Sequence, residues 1–186
     1  MSNFIASVGG GGDYAQPKIA ENQHAACFAI AALGKVERKK FQSEDMELVN
    51  MVALGFTFGK DEEGRDLTLW KQYKFSYNEK AALRKDLEAW RDHDFTDEEI
   101  QQFPLTKVLG QKCTITVGQT SGGNPKITKI KPPRDGNDIT LTVGDTWVFD
   151  IDEPSENYDK LPAYMRNMIK TEEVDTPVES VSDIPF

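Results

Sequence analysis

The chain has 186 residues, of which 38% are hydrophobic and 28% charged, with a formal net charge of −9. This apolar content is enough for a core and excludes a fully disordered protein, and the lack of any run of about eighteen apolar residues excludes a membrane-spanning helix. The N-terminal sequence MSNFIASVGGGG also lacks the regions of an export signal. The sequence therefore predicts a soluble cytoplasmic protein with no membrane partner.

The negative charge is concentrated in the last third of the chain. Residues 1–134 contain 19 Lys and Arg against 18 Asp and Glu, whereas residues 135–186 contain 3 against 13. A near-neutral body followed by a strongly acidic end indicates a terminal segment with a role of its own.

Four regions are predicted from composition and periodicity. Residues 1–23, with their glycine run, form a flexible arm, and residues 24–134 form the main domain. Residues 135–170 form an extended piece, pairing with a sheet edge through Trp147 and Phe149, and then a short helix that packs on the domain or on a neighbour. Residues 171–186 form an acidic tail with too little apolar content to order itself.

Three strands open the main domain. The small apolar run 24–33 predicts a buried strand that ends at Gly34, and the charged run 35–45 predicts a loop. Residues 46–59 predict a second strand, in which Gly55 indicates a bulge or sharp bend. Residues 67–75 predict a third strand with Trp70, Gln72 and Lys74 on one face.

Helices and a hairpin complete the domain. A capping box at residues 76–79 predicts a helix that carries Leu83, Leu87 and Trp90, and a second capping box at residues 96–99 predicts a shorter helix ended by Pro104. A further helical turn is predicted at residues 105–109. Residues 112–131 then alternate in the pattern of a hairpin.

The order strand, strand, strand, helix, strand, strand predicts a mainly β protein with helices. It is the connectivity of the OB-fold, a five-stranded Greek-key barrel with a helical insertion between strands 3 and 4. That fold is used for oligonucleotides and oligosaccharides, although a fold alone assigns no function.

A single-strand interface in such a barrel needs cations for phosphates and aromatic rings for bases. Both are present, and we expect the cations of the first loop and of the last strand to share one rim. The candidate DNA-binding residues are Lys35, Arg38, Lys39, Lys40, Phe41, Phe58, Trp70, Tyr73, Lys74, Lys126, Lys129 and Lys131. Core roles for Phe58, Trp70 and Tyr73, and a merely solvated face for the lysines, remain open alternatives.

The sequence ends in Asp183, Ile184, Pro185 and Phe186, here called the terminal tip. It resembles the acidic tip of bacterial single-stranded DNA-binding proteins, whose last residues are the same. In that family the tip docks in a hydrophobic pocket with nearby basic residues on replication and repair enzymes. The resemblance implies an enzyme-recruiting tail, although the carboxylates before the tip are more dispersed here than in the bacterial proteins.

Residues 76–113 are similar to the central block of a phage-encoded family of single-stranded DNA-binding or replication proteins. The shared pattern is a helix, Trp-Arg, Phe-Thr, an acidic helix, Leu-Gly and Cys, although Asp92 stands where that family usually has Gly. The resemblance implies a phage protein that works in DNA replication, recombination or repair in the cytoplasm of an infected bacterium.

Enzymatic chemistry has little support in the sequence. Asp92, His93 and Asp94 are adjacent, so they cannot easily converge on one metal ion, and a solvated loop is the better interpretation. Cys27 and Cys113 lie in apolar sequence and are predicted to be buried thiols. We expect no catalytic residue, no metal and no cofactor.

The sequence therefore favours a non-catalytic protein that coats single-stranded DNA and recruits replication or repair proteins through its terminal tip. Two alternatives remain: a mimic of the tip that occupies the pocket of host enzymes without coating DNA, and a strand-annealing accessory protein. The oligomeric state, monomer or dimer, is left open.

Overall fold

The structure is a computed structural model that describes residues 14–153 and 157–173. Residues 1–13 of the predicted arm lie outside the described residues. The same holds for residues 174–186, which include the terminal tip.

Among the described residues the architecture is mainly β, with one sheet of seven strands. The sheet has the strand order β1-β4-β3-β2-β5-β6, and β7 pairs with β2 beside this path. Its strands are β1 (Tyr14–Ala15), β2 (Ala20–Lys39), β3 (Met46–Lys60), β4 (Asp66–Lys74), β5 (Lys112–Gln119), β6 (Pro125–Lys131) and β7 (Trp147–Asp150). The ladders are antiparallel except for the β1–β4 and β2–β7 pairs, which are parallel.

In the part of the chain that the structure describes, three α-helices accompany the sheet: α1 (Ala82–Arg91), α2 (Asp97–Gln102) and α3 (Ala163–Glu173). Short 3₁₀ turns lie at Leu105–Val108, Val143–Asp145 and Tyr158–Lys160. The helices α1 and α2 lie between β4 and β5, which confirms the predicted helical insertion between the third and fourth strands. In the described part of the chain, no helix is long and apolar enough to cross a membrane.

The five predicted strands are all present, but the first is longer than predicted. It begins at Ala20, within the predicted arm, and it continues to Lys39 through the first half of the predicted loop. The loop interpretation of residues 35–39 was wrong because these charged residues pair with residues 46–50 of β3 and so continue the ladder. Pairing in a hairpin outweighs the low strand propensity of Lys and Glu.

β2 lies at the centre of the sheet, since its two edges pair with three other strands. One edge pairs with β3 along residues 26–39, and the other pairs with β5 along residues 20–26 and with β7 along residues 29–32. A bulge between Cys27 and Ala29 makes Phe28 the extra residue opposite the Gly55–Phe56 step of β3. The irregularity that Gly55 predicts is therefore confirmed, with the inserted residue on the partner strand.

The sheet buries both faces, as the small apolar residues of β2 require. On the inner face, Ile30, Phe56 and Ile115 pack with residues of α1 and α2, such as Leu87 and Ile100. On the outer face, Ala31, Leu33 and Ala53 pack beneath α3 and β7, where Met165 and Phe149 are buried. The predicted pairing of Trp147 and Phe149 at a sheet edge is confirmed, since they lie opposite Ala29 and Ala31.

The two predicted capping boxes have different outcomes. Thr96 caps α2 as predicted, because its side chain accepts from the Glu99 amide and the Glu99 carboxylate accepts from the Thr96 amide. The box at Ser76 was wrong: α1 begins only after Ala81, without a side-chain cap. Ser76 and Asn78 instead accept hydrogen bonds from amides two residues ahead, which is the turn chemistry that competes with a helix start.

The predicted closed barrel is not shown. Among the described residues no hydrogen-bonded ladder joins β4 to β6, so the sheet is open there, although these two strands lie close together. The helix α1 contacts both β4 and β6 and covers the inner core beside this gap.

Candidate nucleic-acid interface

Three aromatic residues form a cluster on the outer face of the sheet. The ring centroids of Phe28 and Trp70 are 5.5 Å apart, those of Trp70 and Trp147 are 5.6 Å apart, and those of Phe28 and Trp147 are 6.1 Å apart. All three side chains are half-buried. The Lys160 ammonium lies 5.8 Å from the centroid of the Trp147 ring. This aromatic cluster combines exposed ring surface with rings held in place by edge-on contacts.

The position of the aromatic cluster depends on a glycine. A Cβ at Gly55 would lie 3.0 Å from ring atoms of both Phe28 and Trp70, closer than ordinary van der Waals contact. Gly55 therefore leaves room for the edges of both rings to approach the backbone of β3.

The β5–β6 hairpin is a positively charged region without acidic residues. Residues 112–134 contain five Lys and Arg and no Asp or Glu. Ile127 and Ile130 point into the inner core, which leaves the β6 lysines (Lys126, Lys129 and Lys131) exposed on the outer face. Within the described ranges, no carboxylate forms an ion pair with any of the β6 lysines.

The β6 lysines and the aromatic cluster share the outer face. Lys131 lies opposite Thr114, and Thr114 lies opposite His24, four residues before Phe28 on β2. Two strand spacings and four residues place the Cα atoms of Lys131 and Phe28 about 16 Å apart. Residues 134–137 cross the sheet between them, since Arg134 donates to the Asn22 carbonyl and the Asn137 amide donates to the Ala25 carbonyl at 3.1 Å.

The hairpin-end cations (Lys35, Arg38, Lys39 and Lys40) lie at the far end of the β2–β3 hairpin. Residues 35–50 contain these four cations and also four carboxylates, so this end has no net charge. Lys39 pairs with Glu44 at 2.8 Å, and Arg38 lies opposite Glu47. Phe41 in the adjoining turn is 89% exposed.

The predicted common rim for the two sets of cations is wrong. The β6 lysines align, through β5, with residues 20–24 of β2, whereas the hairpin-end cations begin at Lys35. The twelve residues from Gln23 to Lys35 correspond to about 40 Å along a strand. The structure therefore places the two sets of cations at opposite ends of β2, and of the β6 lysines Lys131 is the nearest to the aromatic cluster.

Of the four predicted aromatic residues, two point inward. The Tyr73 side chain is 2% exposed, and its hydroxyl donates to Asp86 on α1 at 2.7 Å. Burial, followed by the Asp86 charge, raises the pKa of Tyr73. Phe58 packs against the inner core. Neither ring is presented on the outer face, whereas Trp70 is, as predicted, with Lys74 four residues further along the same face of β4.

Sequence reasoning missed Phe28 and Arg134 as candidate interface residues, and it assigned Trp147 a pairing role alone. Phe28 is concealed within an apolar run, and its outward direction depends on the bulge at Cys27–Ala29. Trp147 reaches the aromatic cluster through the β2–β7 ladder, which joins residues far apart in sequence. The run without Asp or Glu that ends at Arg134 is visible in the sequence and could have indicated Arg134 as a candidate interface residue.

The reactive side chains considered in the sequence lie either in an exposed connection or in the buried core. The described residues contain no group of three or more His, Cys, Asp or Glu side chains that could hold a metal ion. Asp92, His93 and Asp94 are exposed in the connection between α1 and α2. Burial raises the pKa of the Cys27 thiol to about 12 and also raises that of the Cys113 thiol. Both thiols are therefore protonated and inaccessible at neutral pH.

Comparisons with known proteins identified no relatives. No protein-family model matches the chain, and neither the curated proteins nor the solved structures include a significant match.

Proposed function

We propose that this protein binds single-stranded DNA without sequence specificity, through the outer face of a partly open OB-fold barrel. The observation that carries the proposal is the location of the aromatic cluster and the β6 lysines on one face of one sheet. On this face the Cα atom of Lys131, the nearest of the β6 lysines, lies about 16 Å from that of Phe28.

The strand order supports the OB-fold assignment. Apart from the short β1 and β7, the strands follow the order β4-β3-β2-β5-β6, with the first long strand in the centre and the helices after the third. OB-folds are partly open Greek-key barrels that bind oligonucleotides across their second and third strands. Those strands correspond to β3 and β4, which contribute Gly55 and Trp70.

The chemistry of the outer face favours unpaired strands. Bases in a single strand can stack on aromatic side chains, and each stack contributes about 1–3 kcal/mol regardless of the base. Bases in a duplex are already stacked on one another. The β6 lysines would neutralise phosphates, which supplies affinity without reading sequence.

The biological setting of the proposal rests on the resemblances in the sequence. A phage-type protein of this kind protects single strands during replication, recombination or repair in the bacterial cytoplasm. The terminal tip would then recruit host or phage enzymes to the coated strand, and several tails on one strand would raise the apparent affinity.

The proposal is tested by titrating a fluorescent oligo-dT with the full-length protein at low salt, beside a blunt duplex of equal length. We expect saturable binding to the oligo-dT and weaker binding to the duplex. No binding to either would overturn the proposal and favour a tip mimic that acts on enzymes alone. A protein that binds and also accelerates pairing of complementary strands would be the strand-annealing type.

A further inference from the structure

A second candidate site lies away from the outer face, beside α1, α2 and the 3₁₀ turn at Leu105–Val108. It is a cleft of about 490 Å³, within the range of small-ligand and peptide pockets. Its apolar floor consists of Leu87, Trp90, Phe95, Phe103 and Val108. Neither the aromatic cluster nor the β6 lysines line it.

Three cations surround this apolar floor: Arg91, Lys107 and Lys112. The Arg91 guanidinium lies 4.0 Å from the centroid of the Phe95 ring and 3.6 Å from the Glu99 carboxylate. Lys112 donates to the Asn137 carbonyl at 2.7 Å. Lys107 is exposed, and no described carboxylate forms an ion pair with it. An apolar floor with a basic rim fits an acidic peptide that ends in large apolar side chains.

We propose that this cleft binds the terminal tip of its own chain. Residues 171–186 contain five carboxylates and no Lys or Arg, which complements the basic rim. Ile184, Pro185 and Phe186 supply the apolar side chains for the floor. Burial of the Phe186 ring is the main source of affinity, and Asp183 beside it faces the cations.

The length of the terminal segment is compatible with this contact. The 13 residues from Val174 to Phe186 span at most about 45 Å when extended. A body of this size has a radius of gyration of about 15 Å. The segment is therefore long enough to cross one molecule.

The contact controls the availability of the tip. A tip held in the cleft cannot dock on another protein. The inference does not depend on DNA binding, because neither the aromatic cluster nor the β6 lysines line the cleft.

The direct test uses a fluorescent peptide of residues 174–186. The receptor is the full chain with Ile184→Ala and Phe186→Ala, so that its own tip does not compete. We expect saturable binding, at least tenfold weaker with Lys107→Glu in the receptor and unchanged with the matched control Lys85→Glu, an exposed α1 lysine outside the cleft. Equal affinity for the Lys107→Glu and Lys85→Glu receptors, or no binding at all, would overturn the proposal.

A second measurement needs no receptor variant. The chain has three tryptophans, so the indole N–H signals in an NMR spectrum are few, and Trp90 alone of them lines the cleft. Comparing the full chain with its Phe186→Ala variant, we expect the Trp90 signal to shift while those of Trp70 and Trp147 stay in place. An unshifted Trp90 signal would contradict occupation of the cleft by the tip. Oligo-dT binding, measured on the same two proteins, tests the outer face separately. If neither protein binds oligo-dT, the result counts against DNA binding by the outer face and leaves the cleft proposal untouched.

Discussion

Trp70 lies directly opposite Gly55 in the β3–β4 ladder, and two atoms of its ring lie 3.0 Å from where a Cβ at residue 55 would be. Phe28 approaches the same point at 3.0 Å from the other side. The missing side chain thus provides the space in which the aromatic cluster lies, and the exposed ring surface depends on a single glycine.

Gly55→Ala tests this dependence. The added methyl group must displace two rings, and overpacking of this kind costs about 1–3 kcal/mol in the free energy of unfolding. Gly122→Ala is the control, since a Cβ there has no neighbour closer than 3.7 Å and the substitution should change stability by less than about 0.5 kcal/mol. Urea denaturation measures both. Equal stability of the two variants would show that the rings do not need the space.

Trp70→Ala and Tyr73→Phe separate the outer face from the inner core. Trp70→Ala removes one ring of the aromatic cluster and should weaken oligo-dT binding by about 1–3 kcal/mol at a temperature where the variant is folded. Tyr73→Phe removes the donor to Asp86 and should cost about 1 kcal/mol of stability with no change in DNA affinity. The reverse pattern in the titrations and melting curves would contradict the assignment of the two faces.

The carboxylate of Glu88 makes the free energy of unfolding depend on pH. This carboxylate accepts from Arg84 at 2.8 Å and from the Phe95 amide at 3.2 Å, and these hydrogen bonds, with Arg84 the main cause, lower the pKa of Glu88 below its usual value of 4.5. Because the folded state has the lower pKa, this stabilisation is complete above the unfolded pKa and is lost as the pH falls through the folded pKa. We expect Glu88→Gln to be less stable than the wild type at pH 7, with the difference shrinking below about pH 4.5. A difference that is constant from pH 7 to pH 3 in urea titrations would be inconsistent with this role.

The two thiols should be unreactive in the folded protein. Cys27 and Cys113 are both 0% exposed, and burial raises the pKa of each. A thiol-specific reagent at pH 8 should therefore modify neither residue in the native state and both in urea. Rapid modification of the native protein would indicate that the inner core opens readily.

The sequence was sufficient for features that depend on local alternation. The alternation in β4, with Tyr73 on one face and Trp70 and Lys74 on the other, is the arrangement in the structure. The Thr96 capping box is likewise complete within four residues. Each of these patterns is determined by neighbours in the chain.

Features that depend on the register and partners of distant strands could not be predicted from local sequence patterns. Residues 35–39 have the high fraction of charged residues that is typical of a loop. They form a strand because β3 pairs with them. The separation of the hairpin-end cations from the β6 lysines depends on the length of β2 and on its register with β5. The aromatic cluster requires β7 to lie beside β2; the sequence predicts that Trp147 pairs with a sheet edge, but no local pattern specifies that this edge is the one beside Phe28.

The central claim is that the β6 lysines hold the phosphates of a single strand. The most direct test is the affinity for oligo-dT as a function of salt, for the wild type and for a triple Lys126→Glu, Lys129→Glu, Lys131→Glu variant. Lys35→Glu, Lys39→Glu, Lys40→Glu is the matched triple at the other end of β2. For the β6 variant we predict weaker binding to oligo-dT than for the wild type. Its slope of log affinity against log salt should be reduced in magnitude by about 0.7 for each phosphate that the variant no longer neutralises. Both changes should be smaller for the matched triple. A wild-type affinity independent of salt, or equal reductions in affinity for the two triples, would contradict the account.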